Sequence, residues 1–520
     1  MKKITYIVFL VCSIQLYGQT KVNQKLNTKD LKTARLAFET EDYLNAINLY
    51  RKILIVDPDN ETAHLNSLIS RINLNQAPDS SYRHLAKLKN SKKPEVQFYY
   101  GRIYHLASNF IEAINYYENY KNININNRTI SDKDIEYYIS CSKTAIDLIS
   151  QPHRSIIKNL GSNINSIYAD YVPLISPDES TLYFTSRREG STGNLKDLYG
   201  NYYEDVYVSE KMENGKWGKA KNIGPPINTN THDACVALSF DDDQMIIYRT
   251  AADQVTGDLY LSRTGYDGWT TPIKFDPEIN TPYIETSACF STDTSVIYFS
   301  SNKPDGFGGK DIYRIKKLPN GKWSMPLNLG PTINTDKDED SPFLQRDGTA
   351  LYFSSKGHNT MGDYDVFKTN LNSENNNCST PENLGFPINS VNNDIFFVLN
   401  ATGTHGYYSS VKAETFGGSD IYVIDTRFGD NDLKIKRCKI MFGTKVSKAK
   451  ITLVDHETKK VSGIFNASAK TGKFILIMNP LKAYKAIVEE DGFQTLVVDI
   501  EPIATEEFEK ELIFSLTKKN

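Results

Sequence analysis

The sequence predicts a multidomain protein in which α-helical repeats come first, an all-β propeller follows and a small β-sandwich comes last. Three observations support this prediction. Apolar residues have helical spacing up to about residue 150, an aromatic strand unit recurs five times between residues 155 and 430, and apolar and polar residues alternate after residue 430. A chain of 520 residues is too long for one core, so several domains are expected. Five propeller blades are favoured, with six as the alternative.

Residues 1–19 have the composition of a secretory signal peptide. Lys2 and Lys3 precede an apolar run that ends near Gly18, and polar residues follow at once. The run is too short for a membrane span. Cys12 lies inside the run and lacks the small residues that precede a lipidated cysteine, so we expect no lipid anchor. We therefore expect an exported protein of the periplasm, either soluble or peripherally attached to the outer membrane.

Residues 20–150 have helical periodicity. Ala34 and Phe38 fall on one face of a first helix, and a second helix begins at Tyr43 and ends before Pro58, which lacks an N–H donor. Small side chains on the facing surfaces allow two antiparallel helices to approach closely. The pattern predicts a stack of helical pairs, with a last helix covering its open end.

A second helical pair, "FYYGRIYHLASNFIEAINYYENY", has the same pattern. Gly101, Tyr104, Ala113 and Tyr117 take its small, aromatic, small and aromatic positions in turn. This pattern resembles the tetratricopeptide repeat, whose period is about 34 residues. The resemblance implies a groove that binds peptides or neighbouring domains, without catalysis. An unrelated helical bundle is the alternative.

Between residues 155 and 430, strand patterns replace helical ones, and one unit recurs at intervals of about 55 residues. The units open with "NLGSNINS" at Asn159, "NIGPPINT" at Asn222, "KFDPEINT" at Lys274, "NLGPTINT" at Asn328 and "NLGFPINS" at Asn383. Each opening leads to a strand, a turn, an aromatic strand, a loop and a strand that begins with aspartate. Several units then end with a tryptophan segment, which we interpret as the fourth strand.

Four strands per unit and five units predict a β-propeller. The last unit lacks a clear fourth strand after "DIYVID". The segment Ser155–Gly161, which precedes the first unit, is predicted to supply that strand and to close the ring with one mixed blade. A closed ring shelters most strand edges from pairing with other chains.

The repeat is similar to the TolB-type, WD-like propeller repeat of bacterial periplasmic proteins. The similarity rests on Ser176-Pro177-Asp178, Leu182-Tyr183-Phe184 and the Asp-Ile-Tyr triplets at Asp311 and Asp420. It covers about 275 residues in five copies. The similarity implies the fold and no particular function, since propellers serve many functions.

One aspartate recurs in every unit, directly before an apolar–aromatic pair. These residues are Asp205, Asp258, Asp311, Asp365 and Asp420. A carboxylate at this position can accept main-chain N–H groups and hold the preceding loop, so we predict a structural role for all five. Calcium binding is the alternative for "PDGFGGKDIY", where Asp305 and Asp311 flank glycines. No unit supplies the roughly six to eight oxygen ligands that calcium takes.

The sequence carries only incomplete motifs of propeller enzymes. "RDGTALYF" is similar to the aspartate box of sialidases, but sialidases also need several arginines that converge on one site. The arginines of this region fall at different repeat positions: Arg187, Arg249, Arg263 and Arg346. There is no G-x-S-x-G elbow or H-E-x-x-H motif, and His232, His358 and His405 are scattered. We therefore expect no catalytic residue, no metal, no cofactor and no enzymatic activity.

Residues 431–520 alternate apolar and polar side chains, with turns every eight to twelve residues or so, and predict a small β-sandwich. The stretch "TGKFILIMNPLKAYKAIVEEDGF" resembles the carboxypeptidase regulatory-like, transthyretin-like module. The positions that fit its pattern are Gly472, Phe474, Tyr484, Val488, Gly492 and Phe493. Leu481-Lys482-Ala483 replace the glycine that usually precedes the tyrosine strand. The resemblance implies a spacer or interaction domain.

The cysteines and the net charge exclude several classes of function. Five cysteines follow the signal peptide, too scattered for a disulfide framework or a zinc site: Cys141, Cys235, Cys289, Cys378 and Cys438. We expect them to be buried as small hydrophobic residues. A formal net charge of −3 with 24% charged residues gives no indication of nucleic-acid binding.

The order of the modules resembles that of Bacteroidota cell-envelope proteins, one architecture of which belongs to the type IX secretion and gliding apparatus. Such proteins usually add an OmpA-like domain that binds peptidoglycan, whereas this sequence ends at Asn520 after the predicted sandwich. We therefore expect no peptidoglycan binding. The resemblance implies a non-enzymatic scaffold or adaptor that binds cell-envelope proteins in the periplasm or at the outer membrane.

The alternative function is a glycan- or ligand-binding propeller, with hydrolase activity as a variant. The two hypotheses differ in what lines the central funnel. Three converging arginines or a pair of carboxylates would favour the ligand site. Serine, threonine and aromatic side chains alone would favour the scaffold.

Overall fold

The computed structural model describes residues 28–74, 79–124, 126, 128–152, 155–197, 200–251, 256–266, 268–371, 378–425, 434–443, 445–446, 449–457, 459, 461–468, 471–503 and 510–519. The predicted signal peptide, residues 1–19 with Cys12, lies outside these residues. Within them, no helix is long and apolar enough to cross a membrane. The protein divides into two compact units, with the boundary between Ile135 and Glu136.

Seven helices precede the strands in the described part of the protein. They are α1 Thr28–Glu39, α2 Tyr43–Val56, α3 Glu61–Asn73, α4 Asp79–Leu88, α5 Glu95–Leu106, α6 Phe110–Lys121 and α7 Asp132–Ser150. Most of α7 belongs to the second unit, where the hydroxyl of Tyr137 donates to the carbonyl oxygen of Lys356 at 2.9 Å. The compact unit ends at Ile135, while the helices themselves continue to Ser150.

Small residues set the spacing of the helix pairs. Ala34 on α1 and Ala46 on α2 are fully buried. In the second pair, a Cβ atom on Gly101 of α5 would lie 2.4 Å from Cε1 of Tyr117 on α6, closer than such atoms approach. Glycine is required here because the tyrosine ring fills the space above the backbone. The small and aromatic positions seen in the sequence are therefore the packing positions of the helices.

Two buried histidines join α3 and α4. Nδ1 of His64 lies 3.0 Å from Nδ1 of His84, and Nε2 of His64 lies 2.9 Å from the carbonyl oxygen of Pro58. Because a carbonyl oxygen only accepts, Nε2 of His64 carries a proton, and Nδ1 of a neutral His64 accepts from His84. Nε2 of His84 is then buried without a hydrogen-bond partner. Burial, with the charges of His64, Arg71 and Arg83, lowers the pKa of His84 to about 4.

We predict that mild acid destabilises the helical unit through this pair. The unfolded chain binds a proton at His84 near pH 6.5, whereas the folded unit binds it only near pH 4. Stability is therefore complete above about pH 6.5 and falls as the pH drops towards 4, by on the order of 3 kcal/mol. His84→Gln should flatten this dependence in acid melts followed by helical circular dichroism. An unchanged slope would contradict the role given to His84.

Five antiparallel sheets with four main strands each follow the helices in the described residues. Blade 1 is β2 Asp170–Ile175, β3 Thr181–Ser186, β4 Asp205–Glu210 and β5 Lys221–Asn222. Blade 2 is β6 Asp233–Leu238, β7 Gln244–Thr250, β8 Gly257–Gly265 and β10 Ile273–Lys274, with β9 Gly268–Trp269 beside β8. Blade 3 is β11 Ala288–Phe290, β12 Val296–Ser301, β13 Asp311–Lys316 and β14 Leu327–Asn328. Blade 4 is β15 Glu339–Leu344, β16 Ala350–Ser355, β17 Asp365–Asn370 and β18 Glu382–Asn383. Blade 5 is β19 Ile395–Leu399, β20 His405–Ser410, β21 Asp420–Asp425 and β1 Ile156–Asn159.

Ring closure joins the two ends of the propeller sequence. β1 pairs antiparallel with β21, with Ile157 opposite Ile424, and this pairing completes blade 5 as the sequence predicted. The first strands β2, β6, β11, β15 and β19 contact one another in that order, and β19 also contacts β2. Five blades therefore form a closed ring in the described part of the protein, with their first strands at the centre.

In blades 1 to 3, the fourth strand begins at the last residue of the predicted tryptophan segment and ends one residue beyond it. Trp217 and Trp323 form single bridges with Lys211 and Lys317. The fourth strand itself is short, as in Lys221–Asn222 of blade 1. The tryptophan lies in the hairpin that reverses the chain. The fourth strand of blade 1 then ends with Asn222 opposite Tyr207, the third residue of the third strand.

In four of the five blades, an asparagine at the end of the fourth strand ties the blade to the loop that leads to the next one. In blade 3, Nδ2 of Asn328 donates to Oδ2 of Asp311 at 2.7 Å, and Oδ1 of Asn328 accepts from N of Gly330 at 2.8 Å. Nδ2 of Asn334 donates to the same Oδ1 at 2.7 Å, and Asn334 bonds to both main-chain groups of Ile312. The same set recurs around Asn159, Asn222 and Asn383.

We predict that Asn159→Ala lowers the free energy of unfolding of the propeller by about 2–4 kcal/mol, because the side chain loses bonds to Asp420, Gly161 and Asn165. The three tryptophans all lie in the propeller sequence, so a urea melt followed by tryptophan fluorescence reports on this region. Lys158→Ala, which is adjacent and exposed, is the matched control. Equal midpoints for the two variants would show that closure does not depend on Asn159.

Two further sheets follow in the described residues after 433. Their strands are β22 Lys434–Phe442, β23 Lys445–Val446, β24 Lys450–Asp455, β25 Val461–Asn466, β26 Lys473–Met478, β27 Tyr484–Glu489, β28 Leu496–Ile500 and β29 Leu512–Ser515. In one sheet, β22 pairs with β23, with β26 and, in parallel, with β29; the other has the order β25-β24-β27-β28. Buried side chains of both sheets, such as Ile440 and Leu453, share one apolar core.

Candidate ligand site at the mouth of the propeller channel

The first strands of the five blades enclose a narrow channel. Its lower part, where these strands end, is lined by apolar side chains such as Ile175, Phe290 and Leu344. Its upper part, where the strands begin, includes Val172, Thr286, Ser287, Ser341, Phe396 and Phe397, and we name this part the channel mouth. The cavity volume is about 50 Å³ in the lower part and about 20 Å³ at the mouth. Such volumes hold only a few water molecules, so a larger ligand would bind over the mouth.

Four of the first strands, those of blades 1, 2, 4 and 5, bulge at the mouth. Val172, Ser341 and Phe396 have φ angles of 51°, 54° and 61°, in the left-handed region that residues with a side chain rarely adopt. In each of these blades the pairing register shifts between the first and second strands. Bulges re-aim side chains and are frequent beside binding sites. Pro173 and Pro342 are the sequence signal for two of them, since proline within a sheet is found at bulges and edges.

An ion pair between the partly buried Lys310 and the buried Asp340 borders the mouth between blades 3 and 4. Oδ2 of Asp340 accepts from Nζ of Lys310 at 2.8 Å, and Oδ1 accepts from the hydroxyls of Ser287 and Ser300. Nζ of Lys310 also donates to Oγ1 of Thr286 at 2.8 Å. Burial alone would raise the pKa of Asp340, but the Lys310 charge and the serine hydroxyls outweigh it and hold that pKa below its usual value. Asp340 is therefore ionised at neutral pH.

A second polar group lies where blades 5, 1 and 2 meet. The ring of Tyr171 stacks on that of Phe396 with centroids 6.2 Å apart, and its hydroxyl donates to Oε1 of Glu204. Nδ1 of His232 lies 3.4 Å from Oε2 of Glu204. Burial would raise the pKa of Glu204, but His232, the Arg187 charge and the Tyr171 hydroxyl outweigh it and lower that pKa. Burial also raises the pKa of Tyr171 well above its usual value, so the phenol stays protonated.

These side chains come from two positions of the repeated unit. One follows the acidic residue at the start of the first strand and is occupied by Tyr171, Ala234, Thr286, Asp340 and Ile395. The other precedes the recurring aspartate and is occupied by Glu204, Gly257, Lys310, Tyr364 and Ser419. The surrounding unit is similar from blade to blade, whereas these two positions differ in every blade. The sequence analysis missed this variation, although it shows which positions of the repeated unit are not fixed by the fold and can carry a site.

The mouth combines hydrogen-bond acceptors, donors and an aromatic face. Asp340 and Glu204 accept, Lys310 donates, and the Tyr171–Phe396 pair offers an apolar surface. A general acid for glycoside cleavage needs a raised pKa, and in the ligand-free site neither carboxyl has one. The geometry therefore favours binding of a hydroxyl-bearing ligand over proton transfer to it.

The five recurring aspartates lie at the starts of the third strands, outside the channel mouth. Main-chain N–H groups bond to four of them: Thr192 to Asp205, Phe307 and Gly308 to Asp311, Met361 to Asp365 and Phe416 to Asp420. Asp258 differs, because Lys274 replaces the asparagine of the other units and forms an ion pair with it at 2.7 Å. In the glycine-rich loop before Asp311, a Cβ on Gly308 would lie 2.1 Å from the carbonyl oxygen of Lys337. This close approach of two backbones is why the loop contains glycine.

The arginines and histidines of the propeller do not converge on the mouth. Arg249 pairs with Asp233, and Arg346 lies at the lower end, 5.6 Å from the ring centroid of Phe240. Arg263 lies on β8, opposite Gln244, and Arg187 pairs with Asp197 at 2.6 Å. His232 borders the mouth, whereas His358 bonds to the carbonyl oxygen of Ile333 and His405 pairs with Glu179.

We predict that Lys310→Met lowers the free energy of unfolding of the propeller by about 2–4 kcal/mol at neutral pH, because Asp340 would keep a buried charge without its cation. The loss should shrink as the pH falls, since a protonated Asp340 needs no cation. Urea melts followed by tryptophan fluorescence at about pH 7 and about pH 5 measure both effects. Lys316→Met, an exposed lysine on β13, is the matched control. A loss equal to that of the control would contradict the assignment.

No family model matches the protein, and no curated protein matches its sequence. Solved structures match it in fold. They include TolB from Acinetobacter baumannii (14% identity, covering 57% of this protein and 71% of the other, TM-score 0.32), an endo-arabinase from Bacteroides thetaiotaomicron (13%, 52% and 97%, TM-score 0.34) and an alpha-L-arabinofuranosidase from Lactobacillus brevis (9%, 49% and 91%, TM-score 0.33). At this level of identity the likeness concerns the fold alone.

The prediction that the protein is not an enzyme is contradicted by these comparisons. Besides the endo-arabinase and the arabinofuranosidase, the matching structures include a thermostable family-43 glycoside hydrolase. These likenesses have identities of 9–13% and TM-scores of 0.33–0.34. The fold assigns no particular activity to this protein.

Proposed function

We propose that the protein binds a glycan, or a similar ligand rich in hydroxyl groups, at the channel mouth. The observation that carries this proposal is the Lys310–Asp340 pair, which borders the same opening as the stacked rings of Tyr171 and Phe396. A buried ion pair adds little net stability compared with apolar residues of the same size. Its position beside an aromatic surface at the channel opening therefore supports a role in recognition.

Sugars present both kinds of surface that the mouth can bind. Their hydroxyls donate to carboxylates and accept from ammonium groups, and their C–H faces pack on aromatic rings. Hydroxyls of Ser287, Ser300 and Thr286 already orient Asp340 and Lys310, so little side-chain entropy is lost on binding. Because the channel is too narrow for a sugar ring, the ligand would lie across the upper face of the propeller.

Hydrolysis of the bound glycan is the second candidate activity, and one observation favours it. Glycoside hydrolysis commonly uses two carboxyl groups, one of them protonated, and Asp340 and Glu204 are two carboxyls beside the mouth. The Lys310 charge offsets the effect of burial on Asp340. A ligand that draws Lys310 away would therefore raise the pKa of Asp340 and create the protonated carboxyl that the free site lacks.

We further propose roles for the modules outside the propeller. The packing of Gly101 on Tyr117 supports tetratricopeptide-like helices, and the two sheets around one core in residues 434–519 support a carboxypeptidase regulatory-like domain. The pattern of residues 1–19 supports export to the periplasm or the outer membrane. Binding of cell-envelope proteins through these modules would hold the ligand site of the propeller in the envelope.

The test is binding of the full-length protein to a panel of neutral and acidic oligosaccharides, with calorimetry of each hit. We predict that Asp340→Asn and Tyr171→Phe weaken binding about 10- to 100-fold, because each removes a hydrogen bond that involves or orients a charged group. Lys316→Met should bind like the wild type. Tryptophan fluorescence confirms that each variant is folded before binding is measured.

Wild-type protein that binds no member of the panel would contradict the proposal, as would folded variants with unchanged affinity. A measurement of released reducing ends distinguishes hydrolysis of the oligosaccharide from binding alone. Their release from a bound oligosaccharide by the wild type, and not by Asp340→Asn, would show hydrolysis; binding without release would show a lectin-like propeller.

A further inference from the structure

A buried acidic residue lies at the start of the first strand in every blade. These residues are Asp170, Asp233, Glu285, Glu339 and Asp394. Each accepts from a serine or threonine four residues earlier, as in the bonds from N and Oγ1 of Thr335 to Glu339. Each also accepts a hydrogen bond from a side chain of the second strand of its blade or of the residues just after that strand. For example, the hydroxyl of Ser355 donates to Glu339, and the guanidinium of Arg249 donates to Asp233.

At four junctions between blades, the main chain places this acid beside the recurring aspartate of the preceding blade. N of Glu339 donates to the carbonyl oxygen of Lys310 at 2.8 Å, and Lys310 directly precedes Asp311. The same 2.8 Å bond joins Asp233 to Glu204, Asp394 to Tyr364 and Asp170 to Ser419. The result is a pair of neighbouring buried carboxyl groups at each junction: Asp205 with Asp233, Asp311 with Glu339, Asp365 with Asp394 and Asp420 with Asp170.

An unpartnered oxygen distinguishes three of these pairs. Oδ2 of Asp365 accepts from N of Met361 and from Nδ2 of Asn383, at 2.8 Å each, whereas its Oδ1 is buried without a hydrogen-bond partner. Oδ1 of Asp205 and Oδ1 of Asp420 are unpartnered in the same way. In contrast, both oxygens of Asp311 accept main-chain N–H groups. A charged oxygen without a donor, next to a second carboxyl group, is a costly arrangement inside a protein.

We propose that Asp205, Asp365 and Asp420 carry a proton in the folded protein in mild acid, so that neutral carboxyl groups hold three junctions of the ring there, and that their ionisation at higher pH loosens it. This protonation removes the bare charge on Oδ1 and keeps the bonds to Oδ2. It also relieves the repulsion from the acid of the next blade. The ring then becomes sensitive to pH at its blade junctions, independently of any ligand at the channel mouth.

The electrostatic surroundings support this assignment. Burial is the largest cause and raises the pKa of Asp365 to about 8 and that of Asp420 to about 6, and it also raises the pKa of Asp205. The neighbouring acids raise these values further. The charged groups that face the three sites are Asp233 with Arg249, Asp394 with Lys412, Asp170 with Arg188, and Glu414.

The direction of the pH effect follows from these shifts. The folded pKa of Asp365 lies above the unfolded value of 3.8. Its stabilisation is therefore complete below about pH 4 and is lost as the pH rises through about 8. The propeller should be more resistant to heat in mild acid than in mild alkali, opposite to the direction expected for the helical unit with its His84.

The experiment compares Asp365→Asn with Asp311→Asn in the full-length protein, using thermal melts followed by tryptophan fluorescence from about pH 5 to about pH 8.5. In Asp365→Asn the amide oxygen keeps both bonds and the NH₂ group takes the place of the unpartnered Oδ1. This variant should melt no lower than the wild type near pH 8 and with a flatter dependence on pH. Both oxygens of Asp311 accept main-chain N–H groups, so in Asp311→Asn the NH₂ group that replaces one oxygen would face an N–H donor. This variant should therefore melt at a lower temperature than the wild type near pH 8.

An infrared spectrum provides a readout that does not depend on stability. The band of a buried protonated carboxyl group should be present in the wild type near pH 6 or 7 and weaker in Asp365→Asn. Equal damage by the two substitutions near pH 8, or an unchanged carboxyl band, would overturn the proposal. A melting temperature that falls on addition of a chelator would also overturn it, because a cation and not a proton would then neutralise the junctions.

Discussion

In four of the five blades, an asparagine that ends the fourth strand holds the blade to the loop that follows it. One amide group bonds to the aspartate of its own blade, to the turn that follows and to the asparagine of the loop that leads to the next blade. In blade 5 this asparagine is Asn159, and the aspartate that it contacts, Asp420, is 261 residues away. The same local chemistry therefore connects neighbouring blades and closes the ring between the ends of the domain.

This repeated hydrogen bonding leaves two positions of the unit free to differ. The residues after the first-strand acid and before the third-strand aspartate have their main chains held by neighbouring bonds, so their side chains can differ from blade to blade without changing the repeated fold. Tyr171, Glu204, Lys310 and Asp340 occupy such positions and border the channel mouth. A rigid, repeated frame with a few irregular side chains at one opening is the arrangement on which binding sites depend, because the frame orients groups that no single blade could hold.

Buried carboxyl groups have different roles in different parts of the ring. At the mouth, Lys310 and two serine hydroxyls keep Asp340 ionised. At the junctions, Asp365 has donors on one oxygen only and a second acid beside it, which favours the neutral form. The burial is similar, and the arrangement of donors decides which carboxyl is charged.

The sequence by itself determined the elements and their order. Helical pairs followed from small residues such as Ala34 and Gly101, five blades from the repeated openings, and closure by Ser155–Gly161 from the missing last strand, because these depend on local spacing and on counting. The tertiary structure alone decided that the strand beyond the tryptophan pairs with the third strand, that the first compact unit ends at Ile135, and that Lys310 of blade 3 meets Asp340 of blade 4. The contact between Lys310 and Asp340 joins residues of different blades. The curvature of the closed ring, which no local pattern encodes, sets the distance between them.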